Sequence, residues 1–140
     1  MPRSTTGFAL AALLALGGCA NTEIRSRETL LDETLRSYAA TVRWGDMEQA
    51  QGFIEPARLA SHPPSAIDLA RYRQVQVSGY EAQEPVVVNE REVRQVVRID
   101  LVNVNTQSAR SIVDRQTWTW DEASKRWWLA SGLPDISRPD

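Results

Sequence analysis

Between Glu28 and Val42 the apolar residues recur at helical spacing. Leu31, Leu35, Tyr38 and Val42 form one stripe, and Glu28, Asp32, Glu33 and Arg36 lie on the wet side. The pattern predicts a helix from Glu28 that Gly45 ends. Asp46 is placed to cap a second helix, with Gln49 three residues on as its capping-box partner and Met47, Ala50, Phe53 and Ile54 facing inward. Pro56 suits the first turn of a further short helix, which Pro63 and Pro64 stop, and Ser65 to Ala70 predicts a last helical turn.

After Ala70 the period changes to two. Val75 and Val77 alternate with Gln74 and Gln76 ahead of Gly79, and a long run from Val86 to Val104 alternates through Val93, Val97, Ile99 and Leu101. Asn105 to Ser108 reads as a hairpin turn. The next strand, Arg110 to Trp120, carries Ile112, Asp114, Gln116, Trp118 and Trp120 on one face. Asp121 to Lys125 turns the chain into a final strand through Trp127, Trp128 and Leu129. Helices first and an antiparallel meander afterwards predict a single α+β domain.

Ahead of this domain the pattern is different. One basic residue, Arg3, precedes an apolar run from Phe8 to Leu16 and then small residues, which is the layout of a secretory signal. The run is too short to span a bilayer, which takes about 20 apolar residues. Leu16, Gly17, Gly18 and Cys19 resemble the lipobox of bacterial lipoproteins. That resemblance implies cleavage between Gly18 and Cys19, a thioether-linked diacylglycerol on Cys19 and acylation of its new amino group. Alanine at position 20, where aspartate signals retention in the inner membrane, implies the outer membrane with the domain in the periplasm. The expected organisation is therefore a signal peptide at 1–18, a lipidated N-terminus and polar tether at 19–27 with a reach of no more than roughly 30 Å, and the domain at 28–138.

Cys19 is the single cysteine of the chain. An exported protein with one free thiol carries a reactive liability, and lipidation removes it. More than one lipid chain gives stable attachment where one holds marginally, so membrane lipid is the expected partner through Cys19, with an envelope protein as a further one. Without residues 1–18 the chain has 15 basic and 18 acidic side chains, an acidic balance that speaks against nucleic acid as a partner. All the basic residues except Lys125 are arginine. A GC-rich genome explains that bias as well as carboxylate or phosphate recognition does.

The helical hairpin with its further short helix, the segment Trp44, Gly45, Asp46, and the closing run from Arg115, Gln116, Thr117 and Trp118 through Trp127 to Gly132, Leu133 and Pro134 resemble the nuclear transport factor 2-like (cystatin-like) fold. They also resemble small uncharacterised bacterial lipoproteins that share it. The resemblance implies N-terminal helices packed on a curved antiparallel sheet that can enclose a cone-shaped pocket. It also covers isomerases, dehydratases, adaptors and non-catalytic binding modules, so function must come from a site.

The residues offer few such sites. His62 lies in Ser61, His62, Pro63, Pro64 and reads as a solvated loop residue. One histidine and one lipidated cysteine leave only scattered carboxylates, so no metal or other cofactor is expected. No phosphate cradle or nucleophile elbow is present. The sharpest catalytic candidate is Asp114. Pairing of Val104 with Ala109 sets Ile99 opposite Asp114 and Val97 opposite Gln116 on the face of Trp118, where a carboxylate with a raised pKa acts as a base. A one-residue slip sends Asp114 to the surface beside Arg98 or Arg115, and this surface placement is the expected one. The tryptophans Trp118, Trp120, Trp127 and Trp128 are expected as core and hairpin stabilisers.

These readings predict a lipid-anchored, non-catalytic binding or envelope-interaction module. The alternatives are an isomerase or dehydratase using Asp114, or a carrier of an apolar envelope ligand. A cone filled by tryptophan argues against both alternatives, and an open cavity with a buried carboxylate favours them.

Overall fold

The computed structural model describes residues 18–137, with side chains from Ile24 onward. Residues 1–17 of the expected signal peptide and the side chain of Cys19 lie outside the described residues. N-terminal helices pack against a strongly curled antiparallel half-barrel, the α+β cone of the nuclear transport factor 2-like fold.

Helix α1 spans Gly18–Trp44. Leu31, Tyr38 and Val42 are buried and Leu35 is half-buried, so the stripe faces the sheet as its spacing requires. The helix starts ten residues before the expected Glu28, and residues 19–27 are helical where an extended tether was expected. Ile24 continues the stripe at seven residues before Leu31. Contacts far along the chain also hold this end. The Trp127 indole Nε1–H donates to the Arg27 carbonyl at 3.0 Å, and the Arg27 guanidinium lies over the Trp120 ring at 5.6 Å and pairs with Glu122 at 3.4 Å.

The second expected helix is a single 3-10 stretch, Gln49–Phe53, entered through Asp46, whose carboxylate accepts from the Glu48 N–H at 2.8 Å. Helix α2 (Pro56–Ser61) has proline at its start, and α3 (Ala66–Tyr72) is capped by the Ser65 hydroxyl, which accepts from the Asp68 N–H.

Five strands follow: β1 (Val75–Ala82), β2 (Val86–Asn89), β3 (Glu92–Asn103), β4 (Ala109–Asp121) and β5 (Arg126–Leu129). The run expected as one strand from Val86 to Val104 is two, because Asn89 folds its side chain back to accept from the Arg91 N–H and turns the chain. The central order is β1-β3-β4-β5, and β2 shares with β1 the same edge of β3.

Two details of register place the interior residues. The β3–β4 pairing sets Val97 opposite Asp114, Ile99 opposite Ile112 and Val93 opposite Trp118, two residues away from the expected register. The cause is Asn103, whose side-chain oxygen accepts from the N–H groups of Asn105 and Thr106 and begins the turn early. A shift of two keeps every side chain on its face. In β1 the register slips between Val77 and Gly79, which turns an inward series at Val75 and Val77 into an inward Tyr80. A Cβ on Gly79 would lie 2.6 Å from the Asp100 carboxylate, so any larger residue there would make the Asp100 side chain shift.

Candidate functional site

The inner face of β4 carries a polar strip inside an apolar core. Asp114, Gln116 and Trp118 alternate inward at intervals of two, and all three are buried. The Trp118 Nε1–H donates to the Gln116 side-chain oxygen at 3.1 Å. The Gln116 amide donates in turn to the Asp114 carboxylate at 2.9 Å and to the Tyr80 hydroxyl at 3.1 Å. The amide of Gln116 thus has a partner at each end, as a buried network requires.

The expected surface placement of Asp114 is therefore corrected. The two-residue register shift preserves its inward direction, and its side chain is 8% exposed. Burial pushes its carboxyl up to about 6, against the opposing donation from Gln116. The surrounding phenols move the same way. Tyr80 is pushed up to about 12, first by burial; Tyr38 is raised by burial and then by the charge of Asp114, and Tyr72 by burial and then by the charges of Asp68, Asp135 and Asp114. The Tyr72 hydroxyl donates to the Pro134 carbonyl at 2.9 Å, whereas the buried Tyr38 hydroxyl has no partner among the described residues.

Next to this strip the cone is filled by side chains. Trp118 and Tyr38 have no exposed surface, and their rings meet edge-on at 5.2 Å between centroids. Phe53 closes the group edge-on to Tyr38 at 5.3 Å and to Trp118 at 6.4 Å. These are favourable aromatic geometries, and they make Trp118 a core residue as expected. Chemically the strip offers one titratable carboxyl among phenols that stay protonated, with Gln116 as a neutral donor.

A second feature lies at the other end of the cone, between the first turns of α1 and the β2–β3 hairpin. It is an open groove of about 500 Å³. Its floor is Leu31, Val93 and Trp127, each buried, and its walls are Ile24 and Val87, each more than half exposed. Arg27, Glu28 and Glu90 supply the polar rim. Its volume and apolar floor suit a ligand site. The adjoining valines Val86 and Val88 are also exposed.

Gly18 and Cys19 stand at the first residues of α1, five residues ahead of the groove wall at Ile24. His62 caps the end of α2 and is exposed, with its ring beside the Ser61 hydroxyl and away from the interior carboxyl. The alternation along β4 puts Asp114, Gln116 and Trp118 on one face, but no local pattern joins Tyr38, Tyr72 and Tyr80 to them or marks the groove as a whole. Three consecutive valines at 86–88, where alternation fails, and Ile24 on the extended α1 stripe were the signals for the latter. No protein-family model matches the chain, and a search of curated proteins finds no significantly similar relative.

Proposed function

We propose that the protein is a lipid-anchored envelope protein, held through Cys19 in the outer membrane and facing the periplasm. Its domain acts as a non-catalytic binding or envelope-interaction module. The observation that supports this reading is the filled cone, in which Trp118, Tyr38 and Phe53 pack edge-on and Gln116 joins Trp118 to the buried Asp114. The same filling weighs against carriage of an apolar ligand within the cone. The lipobox-like Leu16, Gly17, Gly18, Cys19 supports the anchor. Among the described residues no helix is long and apolar enough to cross a membrane, so the domain itself supplies no helical span.

The anchor is tested by membrane fractionation and mass spectrometry of the mature N-terminus. Wild type should begin at an acylated Cys19, and Cys19→Ser should lose lipidation and membrane retention. A wild-type protein that is unmodified and begins elsewhere would refute it.

A second reading, a small-molecule isomerase or dehydratase with Asp114 as base, has one observation in its favour: the carboxyl titrates near the pH at which a base works best. Such a base contributes typically a hundred-fold to ten-thousand-fold in rate. Cells carrying Asp114→Asn should then resemble a deletion despite normal protein level and lipidation. On the module reading they resemble wild type.

A further inference from the structure

We infer that the groove between α1 and the β2–β3 hairpin is a membrane-facing surface, seated on the hydrocarbon of the leaflet that holds Cys19. This inference rests on the proposed anchor and adds to it a defined orientation of the domain.

Little chain separates anchor and groove. Helix α1 runs without interruption from Gly18 through Ile24. A helix rises about 1.5 Å per residue, so the five steps from Cys19 to Ile24 span only about 8 Å, where an extended tether would have allowed twice that or more. No slack separates the two. Wherever the acyl chains of Cys19 enter the bilayer, the Ile24 wall of the groove is held within about 8 Å of that point.

The surface at that point has the composition of an interface. Val87, 69% exposed on the short strand β2, faces Ile24 across the groove, and its neighbours Val86 and Val88 are exposed on the other face of the same strand. Adjacent exposed apolar residues around a concave apolar floor mark an interaction site in a stable domain. Arg27 and Trp127 fix α1 to the sheet beneath Ile24: the Arg27 guanidinium pairs with Glu122 and lies over Trp120, and the buried Trp127 indole donates to the Arg27 carbonyl. The acidic groups Glu28 and Glu90 line the rim as well, which favours zwitterionic over strongly anionic headgroups at that point. Beyond the groove, β2 pairs on one side alone, with β3, and burial of its valines in lipid would keep that edge from pairing with another chain.

The test uses the mature chain, produced with its own leader and reconstituted in vesicles of phosphatidylethanolamine with a minor share of phosphatidylglycerol. Cys19 is the single cysteine, so Val87→Cys gives one free thiol for a nitroxide once Cys19 is acylated. Asn105→Cys, in the exposed β3–β4 turn, serves as the reference. Collision of the nitroxide with oxygen, which concentrates in hydrocarbon, is compared with collision with a water-soluble nickel chelate. The expected result is an oxygen-to-nickel ratio several-fold higher at position 87 than at position 105. A ratio equal to that at 105 would overturn the inference, because the groove then faces water. Loss of both collisions would also overturn it, by showing a second copy of this chain or another protein over the groove. The N-terminal mass of the same preparation reports the anchor separately: an unacylated wild-type N-terminus refutes the anchor, and lipid contact at position 87 in the Cys19→Ser, Val87→Cys chain then leaves the surface standing.

Discussion

The two ends of the cone are built on opposite principles. At one end Asp114 and Gln116 are buried and hydrogen-bonded, through Gln116, to the half-buried Tyr80, beside the packed rings of Trp118, Tyr38 and Phe53. At the other, an apolar groove of Ile24, Val87 and Trp127 stands open. Burying polar groups costs free energy unless they are paired, and exposing apolar ones costs it unless something covers them. The first end meets most of its cost internally through its ladder of donors and acceptors, with the Tyr38 hydroxyl left over. The second has not, and it is the end nearest Cys19. A perturbed carboxylate is therefore a poor guide to function here, because an ionic group in a filled core is perturbed by burial alone.

The contrast is open to attack from several sides, and Trp118→Ala should have the largest effect. If this ring fills the cone, its loss should cost about 3 to 5 kcal/mol in chemical denaturation by transfer and cavity terms. A loss below about 1 kcal/mol would mean that the interior is not packed around it.

Asp114 sharpens the comparison through pH. Its folded pKa, about 6, lies above the ordinary 3.8. The folded state therefore holds the proton more tightly than the unfolded state. The resulting stability is fully present below about pH 4 and is lost as pH rises through 6. A difference of this size corresponds to about 3 kcal/mol. Asp114→Asn keeps an acceptor for Gln116 but has no charge to bury. It should match wild type near pH 3.5 and exceed it by up to that amount at pH 7.5, in paired denaturation curves. Equal pH dependence of the two proteins would place the carboxylate in water.

Smaller effects should follow at Tyr38 and Val87. The Tyr38 hydroxyl is buried without a partner, so Tyr38→Phe removes an unpaired polar group and should raise stability by about 1 kcal/mol. A loss of similar size would reveal a partner for that oxygen. Val87→Ser, on the exposed wall, should change the stability of the detergent-solubilised protein by less than about 0.5 kcal/mol. A large loss would make the groove part of the core.

The parts of this design that were legible in the sequence are those governed by local period and capping. The α1 stripe of Leu31, Leu35, Tyr38 and Val42, the proline at the start of α2, the Ser65 cap and the inward face of β4 all follow from neighbours within a few residues. What escaped was set by distant partners or by single side chains in turns. Residues 19–27 carry few helix-directing features of their own, and their helix is held in part by Trp120, Glu122 and Trp127, about 100 residues further along. Valine-rich alternation masked the turn at Asn89, and the Asn103 side chain moved the β3–β4 register by two. Asp114 was expected at the surface through a one-residue slip, whereas the register moved by two and so kept its face. The Tyr80 contact needed the one-residue bulge before Gly79, which reverses the inward parity of β1.

The most direct measurement of the account is amide hydrogen exchange of the lipidated chain on bilayers, against the Cys19→Ser chain in buffer. If the closed end is internal structure and the open end is the working surface, residues 24–31 and 86–93 should exchange more slowly on the membrane. Residues 112–120 should be equally protected in both. Unchanged exchange at 86–93 together with a response at 112–120 would contradict the account, because it would locate the working surface at Asp114.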